Sequence, residues 1–342
     1  MANEPATFAV NDRLAERAML FLEPAVIETL SAIYGCEPLP LGLAHRGQSI
    51  HGFRIRRPFT DRVVLAPFNF QPIFRDRGEE IVEAIIAAAR ASGPRTSAVI
   101  RVHHRLADGG VARAGLAHAA DCVETLLPLA SGPDAVVAAF SQNQRRRWRK
   151  SVAGAERAAV RVRRFRDLAT MRRLYGVLLK AYRDKHRMMP QPLLLFERLL
   201  ALPEGTRSCH GYVAEIEGRC EPAGGIVVTC DETQWSYGWG ANDATYEHLG
   251  LGTLLVGTAM LDAAQAGIPI FSFGVSPLTH ESLRAFKRNW GAEEHLIHAY
   301  YRGERPRPVD LHRDFALAKR VVAMTPLPVL KAISPLAVRW LV

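Results

Sequence analysis

The pattern of apolar and polar positions is clearest in the second half of the chain. Val160–Phe165 alternates apolar and basic residues as a half-buried strand does, and Asp167 is placed to cap a helix that runs through about Tyr182. A helix, three closely spaced strands, a helix, a strand, a helix and a strand follow, predicted over 192–202, 211–217, 223–230, 234–240, 252–266, 268–275, 279–289 and 293–301. Short turns between the three strands favour an antiparallel meander.

The first half shows a looser version of the same alternation. Helices are predicted over 12–34 with a break near Pro24, over 78–91, and from Pro133 into the following basic segment. Strands are predicted over 50–55, 62–66, 97–103 and 120–126. The whole chain therefore indicates an α/β (α+β) protein with two similar domains, 1–150 and 151–305, and a C-terminal tail, 306–342. No internal sequence repeat supports the duplication, which rests on element order alone.

Five short segments, taken in order, resemble those of one family. They are FSQNQRRRWRK at 140–150 with Gly154 after it, residues 174–190, YGWGA at 237–241, FSFGVS at 271–276, and Phe286-Lys287 with Trp290-Gly291. These segments resemble the Fem-type peptidyl transferases and their polysaccharide-associated (CelD/BioF-like) acyltransferase relatives, and the element order is that of the GNAT acyltransferase fold. Residues 65–72 and Arg101 are weaker echoes in the first half.

This resemblance implies tandem GNAT-like domains with a mixed, mostly antiparallel sheet flanked by helices. It also implies an N-acyltransferase that adds an acyl group to an amine of a cell-envelope or polysaccharide precursor or of a small metabolite. The Fem enzymes take aminoacyl groups from aminoacyl-tRNA, so an aminoacyl-tRNA-dependent transferase is one alternative. A non-catalytic binding protein is another, because Ser272 stands where relatives often have Asp.

Composition and charge add a possible anionic partner. The 342 residues are 48% hydrophobic and 23% charged, which is typical of a globular protein and excludes a disordered or fibrous one. The net charge is +10, yet residues 145–187 alone hold sixteen Lys or Arg against three acids. That basic segment could meet the phosphates of tRNA or coenzyme A, or it could be a solvated helix face.

Cysteine use and the apolar segments indicate the cellular context. Five scattered cysteines without a C-x-x-C pair predict free thiols in a reducing cytoplasm. No apolar stretch reaches the roughly 18 residues that span a bilayer, and no signal peptide is predicted. We expect a cytoplasmic protein, with possible association at the inner face of the membrane. Residues 315–342, apolar with interspersed Lys and Arg, could form a membrane-surface segment or a brace across the two domains; the oligomeric state stays open.

The loop before the helix predicted over 252–266 is a candidate donor site. Acyl-CoA-dependent GNAT enzymes place a Gly-rich loop here, whose backbone N–H groups hold the pyrophosphate at a helix N-terminus. This chain has Gly250, Gly252 and Thr253 in register, but Glu247 occupies the first position, where those enzymes have Arg or Gln. The loop favours acyl-CoA as co-substrate, and aminoacyl-tRNA stays open. No permanently bound cofactor is predicted, and no metal site, because the adjacent His103 and His104 would point to opposite faces of a strand.

Lys287 is the strongest catalytic candidate. In the Fem-like relatives the Lys of F-K neutralises charge that develops on the acyl ester, with the neighbouring Phe286 packed beside the substrate. Tyr237 and Trp239 lie on a glycine-containing strand, where backbone N–H groups could bind the acyl carbonyl. Glu281 begins the helix of Lys287 and is a candidate for proton transfer, although first-turn acids more often cap helices.

The acceptor side is predicted to follow the first helix of the second half. In the Fem-like relatives an Arg in this turn binds a substrate phosphate. Arg183 and Arg187 could each match that Arg, and Tyr182 lies beside them.

Overall fold

The computed structural model describes residues 19–57, 61–65, 77–107, 111, 115–129, 132–205, 207–303 and 316–341. Its α-helices are α1 Pro24–Tyr34, α2 Gly78–Ser92, α3 Pro133–Ala139, α4 Gln142–Arg157, α5 Leu168–Ala181, α6 Leu193–Leu200, α7 Leu251–Gln265, α8 Glu281–Arg288, α9 Ala316–Met324 and α10 Leu327–Leu341. Its strands are β1 Glu37–His45, β2 Gln48–Ile55, β3 Arg62–Val64, β4 Ser97–Val102, β5 Ala117–Pro128, β6 Val160–Phe165, β7 Ser208–Ile216, β8 Gly224–Cys230, β9 Gln234–Asn242, β10 Ile270–Pro277 and β11 Glu293–Arg302.

The described strands form one 11-stranded sheet in the order β1-β2-β3-β4-β11-β5-β10-β9-β8-β7-β6. Strand β5 of the first half lies between β10 and β11, and β11 of the second half lies between β4 and β5. Each half therefore contributes a strand to the other. The sheet runs through both predicted domains, and the boundaries 1–150, 151–305 and 306–342 stay predictions.

Two strand junctions are parallel in this otherwise antiparallel sheet, as far as the chain is described. Strand β3 pairs with β4 over three positions, and β9 pairs with β10 over three positions that end at Ser236 and Ser272. Beyond these two residues β9 and β10 have no further paired positions in the described sheet, so the strands diverge. The two strands therefore separate beyond Ser236 and Ser272.

Helices cover both faces of the sheet and bury separate cores. Helices α1, α5 and α6 pack in one cluster with buried residues such as Leu174 and Phe196, whereas α3, α4 and α7 pack in another around Trp290. Helix α2 covers the first half through Ile81 and Ile85. The α/β fold class, with a mostly antiparallel sheet flanked by helices, is thus confirmed.

Three local features differ from the sequence-based expectation. Strand β1 is absent from the sequence-based prediction. It contains Pro38 and Pro40, and prolines are tolerated there because β1 is the edge of the sheet. The helix after Pro133 is divided at Phe140, whose backbone is extended, and Ser141 caps the new helix by accepting from Gln144 N at 3.2 Å. Helix α5 continues into a π-helical turn, Tyr182–His186, called the π-turn below.

Some expected features lie outside the described residues: the start of the helix predicted over 12–34, residues 66–72 and Phe315. None of the helices in the described ranges is long and apolar enough to cross a bilayer.

Candidate active site

A cavity of about 450 Å³ opens where β9 and β10 diverge, and it is called the β9–β10 cavity below. Its walls come from both strands, from the π-turn and the loop after it, from α8, and from β5. The 3₁₀ turn Leu20–Leu22 and the residue before it close the cavity with Met19 and Phe21. The site therefore uses elements of both halves of the chain.

Glycines and two β-bulges keep this part of the sheet open. Gly238 is the unpaired residue of a bulge in β9, because Tyr237 pairs with Val228 and Trp239 with Val227. A Cβ atom at Gly240 would lie 2.5 Å from the Tyr237 hydroxyl, so glycine there makes room for the tyrosine ring. Gly274 in β10 has a φ of 70°, within a second irregularity between Ser272 and Val275.

Lys287 brings a buried amine into the cavity. It lies near the end of α8 and is 5% exposed, and its Nζ donates a 2.9 Å hydrogen bond to the carbonyl oxygen of Gly274. Burial lowers the pKa of Lys287 to about 8, while the carboxylates of Glu124 and Glu294 act in the opposite direction. An ammonium with two remaining donors, in a site of low dielectric, can stabilise negative charge on a bound substrate.

A carboxylate from β5 faces the same cavity. Glu124 is buried, and its Oε1 accepts a 2.8 Å hydrogen bond from Ser272 Oγ, which itself accepts from Gly274 N at 3.0 Å. The other carboxylate oxygen hydrogen-bonds to His103 Nε2 at 2.8 Å. Polar side chains thus connect His103 and Glu124 to the bulge that Lys287 contacts.

Aromatic and sulfur-containing side chains form one wall. Tyr182 begins the π-turn, and π-helical turns occur frequently at functional sites. Burial raises the pKa of Tyr182 and of Tyr237 to about 12, so both phenols stay protonated at neutral pH. Met188 and Met189 follow the π-turn, and these flexible side chains can adapt to an apolar part of a ligand.

The start of β9 supplies polar groups to the cavity. The Gln234 side chain is 4% exposed, and its Nε2 donates to Ser236 Oγ at 2.8 Å. Its Oε1 has no hydrogen-bond partner in the part of the chain that the structure describes. Asp231 and Thr229 line the same region. The cavity lining therefore contains two carboxylates, Glu124 and Asp231, against one lysine, Lys287. This excess of acidic groups suits a ligand that donates hydrogen bonds.

The structure brings together four of the predicted site residues and leaves others outside. Lys287, Tyr237, Tyr182 and Trp239 all line the cavity. Four further predicted residues do not line it. The Glu281 carboxylate pairs with Arg284 and Arg288, and Arg183 pairs with Asp184 at 2.6 Å. Arg187 is exposed with a φ of 51°, and Phe286 packs edge-on against Trp290.

The three residues of the predicted donor loop, Gly250, Gly252 and Thr253, do not line the cavity. Gly250 has a φ of 66° and precedes α7, and a Cβ atom there would lie 2.5 Å from Ser151 Oγ of α4. With the Asn242 amide in its hydrogen-bonding orientation, its oxygen accepts from Gly252 N at 3.2 Å. Thr253 N is bonded to Gly250 O at 3.0 Å within the first turn. A phosphate at this helix end would therefore have to displace the Asn242 amide from Gly252.

Internal pairing divides the basic segment 145–187. Its later basic residues include Arg163 and Arg173, which pair with Glu215, and Lys185, which pairs with Glu247 at 3.4 Å. Arg145 donates to the carbonyls of Ala138 and Phe140. Four residues of α4 are exposed and form no ion pair in the described structure: Arg146, Arg147, Arg149 and Lys150. Since Ser151 of α4 touches Gly250, this basic face lies next to the donor loop.

Sequence reasoning missed Glu124 and His103 as site residues. A single acid inside the apolar run Val123–Pro128 was the available signal, because a carboxylate in a buried strand requires a partner. The partner could not be identified, because Ser272 is 148 positions away along the chain.

A family model and several solved structures agree with this architecture. Residues 140–295 match the family model described as "Acetyltransferase (GNAT) domain". No curated protein sequence matches the chain. Among solved structures, FemX is similar with a TM-score of 0.61 at 11% identity, covering 87% of this chain and 96% of FemX.

Two further solved structures are similar over nearly the full length. L-PGS from Bacillus licheniformis has a TM-score of 0.58 at 13% identity, covering 94% of this chain and 98% of that one. The C-terminal domain of a protein assigned as a lysylphosphatidylglycerol synthetase, from Agrobacterium fabrum, has a TM-score of 0.55 at 12% identity, covering 95% and 98%. At such identities the likeness shows the fold.

Proposed function

We propose that this chain is an acyltransferase, which transfers an acyl group to an amine held in the β9–β10 cavity. Residues 140–295 match a GNAT acetyltransferase domain model, and the fold is similar to that of FemX. The observation that carries this proposal is the burial of Lys287 and Glu124 together at the point where the two strands diverge. One group can stabilise an oxyanion, and the other can accept a proton.

The reaction uses these two groups in defined roles. The amine attacks the carbonyl carbon of the activated acyl group, and the new C–N bond forms as charge develops on the carbonyl oxygen. The Lys287 ammonium stabilises that oxygen, and Glu124 accepts the proton that the amine loses. The bond to the carrier then breaks, and the proton passes to the leaving group. His103 and Ser272 hold the Glu124 carboxylate in place.

The carrier is proposed to be acyl-CoA, bound across the donor loop and the basic face of α4. Gly250 lets the chain turn in the left-handed conformation, and the N-terminus of α7 favours an anion. The exposed residues Arg146, Arg147, Arg149 and Lys150 add positive charge beside this loop. Binding of the pyrophosphate would displace the Asn242 amide from Gly252.

The acceptor is proposed to be an amine of a cell-envelope or polysaccharide precursor or of a small metabolite. The acidic and hydrogen-bond-accepting groups near the start of β9, Gln234 and Asp231 among them, support an amine-bearing acceptor. Met188 and Trp239 offer apolar contact to the rest of that molecule.

Aminoacyl-tRNA is the second candidate carrier. The basic face of α4 offers more cations than a pyrophosphate needs, and Glu247 replaces the Arg or Gln typical of a coenzyme A loop. One of the similar solved structures is assigned as a lysylphosphatidylglycerol synthetase. The product in that name is a lipid that carries an aminoacyl group.

The experiment offers acetyl-CoA and aminoacyl-tRNA in parallel with a mixture of amines, and it follows consumption of each carrier by mass spectrometry. We expect Glu124→Gln to lower the rate by about 10²-fold or more, because the general base is lost. Glu197→Gln is the matched control, because this glutamate of α6 pairs with Arg172 of α5 and does not line the cavity. Equal rates in Glu124→Gln and the wild type would contradict the proposed role.

The carriers are separated by two further variants. Gly252→Val should raise the KM for acetyl-CoA, because a side chain there would meet Asn242 and obstruct the backbone. Replacing Arg146, Arg147 and Arg149 with Gln should instead reduce the salt dependence of tRNA binding, by a slope of about 0.7–0.9 per lost phosphate contact. Consumption of neither carrier by the wild type would reject both.

A further inference from the structure

The last two helices are fixed to the body of the protein through one face. In α10 the buried residues Leu330, Ser334 and Val338 recur every four positions, and this helix packs on α1 and α5. Arg339 donates to the carbonyl oxygens of Ala32 at 2.8 Å and Ile33 at 3.1 Å, at the end of α1. Helix α10 therefore contacts one helix from each half of the chain.

The opposite face of both helices is apolar and exposed. Six large apolar side chains there are between 37% and 83% exposed, and in each helix they follow i, i+4, i+7 spacing: Leu317, Val321 and Met324 in α9, and Val329, Ile333 and Leu336 in α10. Such spacing places each set on one helix face. Large apolar side chains exposed together on one face of a helix usually mark an interaction site.

The charges around this surface have one sign. Residues 316–341 include Lys319, Arg320, Lys331 and Arg339 but no Asp or Glu. Arg320 and Lys331 are exposed, and Arg187 lies exposed just after the π-turn, which α9 contacts. A helix surface with exposed apolar residues and only basic charges is the pattern that binds the interface of an anionic bilayer.

We propose that the outer faces of α9 and α10 dock on an anionic phospholipid membrane surface. The apolar side chains enter the headgroup region, and the basic residues meet lipid phosphates. Because α9 contacts the π-turn, and Tyr182 and His186 of that turn line the β9–β10 cavity, docking holds the cavity beside the membrane interface. Membrane docking goes beyond the proposed function and does not depend on it. The consequence that the amine acceptor is a molecule present at that interface does rest on the proposed function.

The test measures co-sedimentation of the full chain with vesicles of phosphatidylcholine alone and of phosphatidylcholine mixed with phosphatidylglycerol. The wild type should bind the anionic vesicles and not the neutral ones. The triple variant Leu317→Gln, Met324→Gln and Leu336→Gln should bind at least about tenfold more weakly, because apolar contact is lost. Arg320→Gln with Lys331→Gln should weaken binding about fivefold per charge.

The matched control replaces two apolar residues elsewhere on the surface. Leu168 and Leu296 are 37% and 41% exposed, and their change to Gln should leave vesicle binding unaltered. Absence of wild-type binding to anionic vesicles would overturn the proposal, as would equal binding by the triple variant. Conversion of a dimer to a monomer by the triple variant, without vesicle binding, would assign the face to a second copy of the chain instead. Acyl transfer to a water-soluble amine, measured without vesicles, tests the proposed function separately.

Discussion

The two parallel strand junctions of the described sheet pair over the same short length but differ in the side chains that surround them. Strand β3 meets β4 over three paired positions, and β9 meets β10 over three. In the described part of the first junction, Val63, Ala98 and Ile100 are buried against Ile81 and Ile85 of α2. The second junction opens instead into the β9–β10 cavity.

The difference shows that a short parallel pairing of two strands does not by itself produce a site. At the first junction, branched apolar side chains of β3, β4 and α2 pack closely together. At the second junction, Gly238, Gly240 and Gly274 keep the space open, while Lys287 and Glu124 make it polar. Chemistry therefore depends on the bulges and on buried charged groups, which the first junction lacks at its described positions.

The largest effect should come from removing the buried cation. Lys287→Met keeps the apolar part of the side chain and deletes the ammonium, so the rate of acyl transfer should fall about 10²- to 10³-fold, as when an oxyanion donor is lost. Steady-state kinetics with an excess of acyl donor measure this change. Lys180→Met is the control, since that lysine is exposed and pairs with Asp243 at 3.5 Å. A rate within twofold of the wild type would place the catalytic charge elsewhere.

The pH dependence of kcat should further distinguish the second junction, because Lys287 titrates there. Because burial lowers the pKa of Lys287 to about 8, the ammonium is present below that pH and is lost above it, so kcat should fall about tenfold per pH unit above 8. The folded-state pKa lies below the ordinary value of 10.5, so the folded protein binds fewer protons between these values and Lys287 adds stability as pH rises. The decline in kcat is therefore separable from unfolding of the protein.

Lys287→Arg tests this assignment. A guanidinium stays charged throughout the accessible range, so the alkaline decline should disappear, even if the absolute rate is lower. The kcat–pH profile of both proteins, recorded with thermal stability at each pH, is the measurement. An unchanged alkaline decline in Lys287→Arg would show that another group titrates.

Element order could be read from the sequence more fully than the site could. The strand Val160–Phe165 and the Asp167 cap are observed as predicted, with Asp167 Oδ1 accepting from Thr170 N at 2.7 Å, because local alternation and capping chemistry determine them. Lys287 was identified as a catalytic candidate because the segment Phe286-Lys287 resembles one in a known family. Glu124 could not be assigned, because its position depends on the exchange of β5 and β11 between the halves, which no local pattern encodes.

The smallest effect on activity should come from the first junction. Val63 is fully buried in β3, so Val63→Ala should lower the free energy of unfolding by about 2 kcal/mol through lost burial and a small cavity, with kcat unchanged. Gly240→Ala at the second junction meets the Tyr237 hydroxyl and Ile226 Cγ2 at 2.5 and 2.9 Å, so it should displace the tyrosine and raise KM as well as lower stability. Denaturant unfolding and steady-state kinetics on both variants make the comparison. If Val63→Ala raised KM as much as Gly240→Ala does, the first junction would be part of the substrate site, and the distinction between a filled and an open junction would fail.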